Sequence, residues 1–345
     1  MPSHPCIPKY TYLDSPEFLK LTVHIITIIS TPIYILGLYC ILFKTPDVMK
    51  SVKWYLFVLH ASITLFDYSI SVLTIPYLMI PQVAGIPLGV LRYLGVPTSV
   101  QTALVIMIQT SVLTSSISIY ENRYFIICEF RGKEQWRVLR RFWLFFHYVY
   151  CLTLLLIVFL ILPDQEPAKE RLFQDLPCLP EFFYNEPVFV LIEKNIFPAI
   201  ALGSLIMILA VELAFFISKL FINIQSQRQT ARISQRTYQA QKQFLFALLA
   251  QSSTLLITML FPLAYVIWAY FANYYNQAVN NLGMIIVTTH GFIATVVMLW
   301  VHKPYRSAVK EMWKAFTSSP SSPPQSNSSA CILLSRMWKR NYNRE

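Results

Sequence analysis

The residues able to do chemistry in this chain are few and scattered. Its six histidines are His4, His24, His60, His147, His290 and His302. No two stand three or four apart, the spacing that sets two imidazoles on one helix face to hold a metal. The six cysteines form no Cys-x-x-Cys pair, and the eight glycines form no phosphate-binding loop. No Ser/His/Asp arrangement can be read. Asp67 and Glu212 lie in separate apolar runs, whereas a catalytic site needs a cluster of ionisable groups. The pattern argues against an enzyme and implies neither cofactor nor metal. What remains is Glu121-Asn122-Arg123-Tyr124, which closes a run of 28 residues (93–120) without Asp, Glu, Lys or Arg. The chain then turns basic at Arg131, Lys133, Arg137, Arg140 and Arg141. Two readings of this terminus stay open. It is either a snorkelling interfacial anchor or a switch at the inner mouth of a helix bundle.

The elements that hold these residues are set by hydropathy. Mean hydropathy is +0.50 and only 13% of residues are charged, against about 25% in soluble domains. A span needs about 20 apolar residues. Runs at 21–43, 54–80, 100–122, 142–163, 195–218, 244–271 and 282–301 meet that length. The last two come from one uncharged stretch of 60 residues, 243–302, divided at Asn273-Tyr274-Tyr275-Asn276-Gln277. The expected fold class is an all-α membrane protein, a seven-transmembrane helix bundle. The segment 81–99 reads as a loop, as do 164–194 and 219–242.

Orientation follows from lysine and arginine. With the N-terminus outside, the inner segments hold 22 of these residues and the outer ones 6. The net charge of +11 is thus spread between spans. It points to anionic inner-leaflet lipid or a cytoplasmic protein as partner, not to nucleic acid. After the seventh run, Tyr305, Ala308, Val309, Met312, Trp313 and Phe316 recur at helical spacing opposite Arg306, Lys310 and Lys314. This predicts an amphipathic helix, 303–316, on the inner leaflet. The expected organisation is an extracellular segment 1–17, a helix domain 18–316 and a disordered Ser/Pro-rich cytoplasmic tail 317–345. Cys6 and Cys178 are the two cysteines assigned to the outer face, where oxidation is possible, so they are expected to form a disulfide.

Seven spans with the N-terminus outside, an acid and arginine ending the third, and a basic amphipathic helix after the seventh resemble G protein-coupled receptors. The rhodopsin-like class ends its third span Asp/Glu-Arg-Tyr. Here one residue is inserted, the seventh run lacks Asn-Pro-x-x-Tyr, and no cysteine stands near Ser99. Glu121-Asn122-Arg123 and Lys303-Pro304-Tyr305-Arg306 instead resemble the nematode serpentine chemoreceptors. Tyr12 to Leu19 and Cys178-Leu179-Pro180 look most like class H of that group. The resemblance implies a sensory receptor in the plasma membrane of sensory cilia. It would bind a small environmental molecule and signal through a heterotrimeric G protein. Glu121, Asn122, Arg123 and Tyr124 would serve coupling. Gln101, Gln109, Tyr265, Trp268 and His290 would line the ligand pocket.

Asp67 and His290 fall at nearly equal depth on the second and seventh runs by the rise of about 1.5 Å per residue. Two arrangements follow for this interior polar switch. Asp67 pairs with His290, with Thr288, Thr289 and Ser71 as polar neighbours, or each finds other partners. The alternative function is a ligand-gated or constitutive channel, for which 81–97 would have to be a re-entrant loop.

Overall fold

The computed structural model describes residues 10–160, 162–176, 178–191, 197–230 and 234–317. Among them, seven helices are long and apolar enough to cross a membrane: Pro16–Phe43, Lys50–Leu73, Thr98–Ile127, Lys133–Leu160, Gly203–Gln229, Gln235–Ala272 and Gln277–Val301. The second and third spans make the most extensive pairing, and the third also packs on the fourth and fifth. The sixth pairs with the seventh, and the first with the second and seventh. Lipid-facing positions such as Ile28, Phe145, Phe221 and Leu260 are apolar and exposed, as expected where hydrocarbon replaces water.

The starts of several helices are written locally. Ser15 accepts the Phe18 N–H at 3.0 Å, and Pro16 occupies the first helical position, where its missing N–H costs nothing. Asn276 caps the seventh span by accepting the Val279 N–H at 3.2 Å. Asn273, with φ of 48°, ends the sixth in the left-handed conformation.

Several boundaries differ from those expected. The second span stops at Leu73, not at residue 80, after a five-residue π turn, Ser69–Leu73. Ile75 precedes Pro76, and a residue before proline is driven out of the helical region. The segment then forms an antiparallel hairpin, β1 (Pro76–Met79) with β2 (Ala84–Pro87), in place of a loop. A third strand, β3 (Phe189–Val190), adds to β2. The expected outer loop 164–194 carries this strand and two short helices, Gln165–Asp175 and Phe182–Asn185. At the opposite end, the inner one by the lysine and arginine distribution, the helices run past the apolar segments. The fifth extends to Gln229 and the sixth begins at Gln235, so most of 219–242 is helical. Its Gln, Arg and Ala residues are good helix formers, and the end of hydrophobicity is not the end of the helix. The fourth likewise begins at Lys133.

The seventh span is two helices, Gln277–Thr288 and His290–Val301, interrupted at Thr289. The stretch Lys303–Thr317 is helical, with Trp313 and Phe316 on the surface at 67% and 85% exposure.

Candidate functional site

The hairpin sits over the end of the bundle where the seventh span begins, the outer one by the lysine and arginine distribution, because that span holds it there. Gln277 Nε2 donates to the Leu78 carbonyl at 3.1 Å and Asn280 Nδ2 to the Ile80 carbonyl at 3.3 Å. The next residue, Asn281, donates to the Leu13 carbonyl at 2.8 Å. The Tyr77 hydroxyl donates to the Asp14 carbonyl at 2.5 Å. These side chains are buried and their donors are consumed by backbone acceptors, as buried polar groups require.

Beneath the hairpin lies a cavity of about 520 Å³ between the second, third, fifth, sixth and seventh spans. Leu78 and Ile80 reach it from the hairpin, and Leu113, Leu255, Met259 and Met284 are among its apolar walls. Of the five residues expected to form a ligand pocket, Gln109 and Tyr265 line it and three do not. Gln101 stands two helical turns before Gln109, about 12 Å nearer the outer surface, where its Nε2 donates to the Val96 carbonyl at 2.8 Å. Trp268 is turned about 60° from Tyr265 around the helix and is 55% exposed. His290 lies buried against the sixth span, its Nδ1 3.2 Å from the Thr258 hydroxyl.

At mid-membrane, Asp67 is buried and accepts from the Tyr34 hydroxyl and from the Gly291 N–H, the latter at 3.0 Å. The interruption at Thr289 makes this possible. A helix restarting at His290 has first-turn N–H groups without intrahelical acceptors, and such a terminus favours a carboxylate. Of the two arrangements left open by the sequence, the structure has the second: Asp67 and His290 each bond other partners. Successive helical residues point about 100° apart, so with Gly291 toward Asp67 the imidazole faces the sixth span. Their equal depth holds, because the partner of Asp67 is the next residue in the chain. Ser71 and Thr288 border the same small gap as Asp67 and Tyr34. Ser71 instead accepts from Thr27, and Thr288 and Thr289 donate to carbonyls three residues back.

At the inner mouth, Glu121 and Arg123 have separate partners. Glu121 accepts from Trp136 Nε1 at 2.8 Å and forms an ion pair with Arg140 at 2.5 Å, both from the fourth span. Arg140 also reaches Asn122 Oδ1 at 3.3 Å, and Asn122 donates to the Ser51 carbonyl. Tyr124 stacks on Phe130 with ring centroids 4.7 Å apart. Arg123 makes no ion pair among the described residues. Its guanidinium lies 3.7 Å from the centre of the Phe244 ring, a cation–π contact. It borders a cleft of about 430 Å³ formed with Leu220, Ile224, Gln241 and His302. Burial, and secondarily the charge of Arg123, pushes the His302 imidazole down to about 4.

The other intramembrane acid also has a partner that single-residue reading missed. Glu212 accepts from Trp143 Nε1 at 3.1 Å and stands 2.7 Å from His147 Nε2. A histidine inside the apolar fourth run was the available signal. Cys178 is disulfide-bonded, while Cys40, Cys128 and Cys151 are free. The expected partner, Cys6, lies outside the described residues, as do 318–345 of the expected tail. No group of three or more His, Cys, Asp or Glu side chains suited to a metal occurs among the described residues.

Known proteins can be set beside this arrangement. Squid rhodopsin, in its crystal structure, superposes with a TM-score of 0.51 at 9% identity, covering 94% of this chain and 95% of the other. The likeness is one of fold: a seven-helix membrane bundle. Serpentine receptor class H-72 of Caenorhabditis elegans is 28% identical over 310 residues, 89% of each chain. The sequence profile of the family described as "Serpentine type 7TM GPCR chemoreceptor Srh" matches residues 14–315. The chain belongs to this Srh family of serpentine seven-transmembrane chemoreceptors.

Proposed function

We propose that this multi-pass membrane protein is a sensory receptor with two working ends. A small environmental molecule occupies the cavity under the hairpin, and a heterotrimeric G protein engages the inner cleft. Ligand binding shifts an existing equilibrium between closed and open forms of that cleft. The observation that carries this reading is the division of labour at the end of the third span. Arg140 and Trp136 satisfy Glu121, which leaves the charge of Arg123, poised on Phe244 in the cleft, for a partner outside the chain. An interfacial anchor would snorkel toward phosphates instead of lying against a ring within the bundle.

The proposed setting is the plasma membrane of sensory cilia, with an extracellular N-terminal segment (1–17) and a cytoplasmic tail (317–345). The 22 to 6 distribution of lysine and arginine supports this orientation. The exposed Trp313 and Phe316, with Lys310 and Lys314 between spans and tail, suit a helix lying on anionic inner-leaflet lipid. A Cys6–Cys178 disulfide would tie the N-terminal segment over the bundle mouth. Peptide mapping without reduction that joins Cys178 to another cysteine would refute that pairing.

Agonist-evoked, G protein-dependent second-messenger signalling should vanish in Arg123→Ala at normal surface level. It should also vanish in Gly283→Leu, which fills the cavity. A Cβ at Gly283 meets only Pro262, at 3.9 Å, so the side chain enters open space. Normal signalling by Arg123→Ala would return the Glu121–Tyr124 stretch to the role of an anchor. Normal signalling by Gly283→Leu would remove the ligand from the cavity.

A further inference from the structure

We propose that the detected molecule is neutral and largely apolar, carries a hydroxyl or equivalent hydrogen-bond donor, and reaches the cavity from the bilayer between the fifth and sixth spans. This rests on the reading of the 520 Å³ cavity as the ligand site.

The wall supplies the first half. Among the described residues, no Asp, Glu, Lys, Arg or His lines the cavity. A charged molecule entering it would lose its water and meet no counter-charge. Three buried polar atoms on the lining residues have no hydrogen-bond partner among the described residues: Gln109 Oε1, Tyr265 OH and Asn280 Oδ1. The amide orientation of Asn280 is set by its donation to the Ile80 carbonyl at 3.3 Å, so the oxygen is the group left over. Thr110, the remaining polar side chain of this wall among the third-span residues, already donates to the Ile106 carbonyl at 2.9 Å. A carbonyl or ether oxygen could satisfy Tyr265 and nothing else. A hydroxyl can accept from Tyr265 while donating to an amide oxygen, which removes two unmet groups at once.

Exposure supplies the second half. The hairpin covers the outer side and is fastened by Gln277 and Asn280. Ile206 on the fifth span and Leu256 and Leu260 on the sixth line the cavity, yet they remain 41%, 58% and 64% exposed. Residues that face both ways mark an opening, and this one gives onto hydrocarbon. An apolar molecule is concentrated there by partitioning.

The test uses the full chain in lipid nanodiscs with four probes of one chain length: decanol, decanal, decanoate and decylamine. Decanol should raise the Tm of the wild type and leave Gly283→Leu unchanged, which separates cavity binding from effects on the lipid. Decanal should protect less, and decanoate and decylamine not at all. Gln109→Leu should weaken decanol binding about tenfold, the effect of one lost hydrogen bond. Leu260→Trp, at the opening, should slow decanol association several-fold. Equal or greater protection by decanoate or decylamine, protection by none of the four, or wild-type affinity in Gln109→Leu overturns the assigned ligand class. An unchanged association rate in Leu260→Trp overturns the route. Neither result touches the receptor reading, whose placement of the ligand in this cavity fails separately if Gly283→Leu signals normally to agonist.

Discussion

Gly291 donates its backbone N–H to Asp67 Oδ2 at 3.0 Å, and a Cβ on Gly291 would collide with that same oxygen. The second and seventh spans therefore meet through a backbone that tolerates no side chain. Ile63 Cγ2, at 2.8 Å from the same point, closes the other way out. Gly291→Ala should destabilise the protein by about 3 kcal/mol, at the upper end of overpacking. The double variant with Asp67→Ser, which shortens the obstructing side chain, should recover part of the loss. Thermal unfolding in detergent reads both, and an undiminished Tm in Gly291→Ala would mean the spans are further apart.

The inner ion pair makes a second expectation. Glu121 is 3% exposed and Arg140 16%, so removing the arginine leaves a buried carboxylate short of its counter-charge. Arg140→Ala should cost about 3–5 kcal/mol. Glu121→Gln should cost less, because its amide can still accept from Trp136. The ordering of the two Tm losses is the measurement. A smaller loss for Arg140→Ala than for Glu121→Gln would contradict the assigned partners.

Acid should weaken the inner mouth through His302. Its imidazole is held down to about 4, first by burial and then by Arg123, against an ordinary value of 6.5. A histidine with a depressed folded value is neutral in the folded chain, while the unfolded chain takes up the proton. The contribution is intact above pH 6.5, and stability falls as pH drops from 6.5 to about 4. The full loss is on the order of 3 kcal/mol. Other groups facing this ring are Phe244 and Tyr305, neither of which changes charge in that window. His302→Phe should flatten this part of the pH–stability curve. An equally steep curve in that variant would assign the slope to other groups.

Much of the fold was legible because a bilayer imposes one rule on every span. Runs such as 21–43 and 142–163 announced themselves by length and lack of charge. The family resemblance was legible in Glu121–Tyr124 and in Lys303–Arg306. What stayed hidden depends on partners distant in the chain. The strands at Pro76–Met79 and Ala84–Pro87 find a third more than a hundred residues later, at Phe189–Val190, and no local pattern announces that pairing. The hairpin also takes its anchors from Gln277 and Asn280, residues that otherwise read as a turn between spans. The cavity wall was partly legible, since Gln109 and Tyr265 are polar residues inside spans. Depth along the third span could have excluded Gln101, but the facing of Trp268 and His290 depends on helix rotation. The break at Thr289 has no proline to mark it, so the N–H offered to Asp67 could not be read.

Asp67 shares an oxygen with the Tyr34 hydroxyl and the Gly291 N–H, whereas His290 bonds Thr258 on the sixth span. Groups in direct contact couple by about 0.5–3 kcal/mol, and separated ones add within about 0.5 kcal/mol. A double-mutant cycle on Asp67→Asn and Tyr34→Phe should therefore be strongly non-additive in thermal stability. The cycle on Asp67→Asn and His290→Ala should be close to additive, since each residue is held by a different neighbour. The same variants read by agonist response probe the signalling form. Additivity in stability together with coupling in response would mean that the lower half of the seventh span rotates about Thr289 on activation and turns His290 toward Asp67. Coupling of Asp67 and His290 in stability itself would mean that this rotation is already made at rest, and the Gly291 contact would not hold.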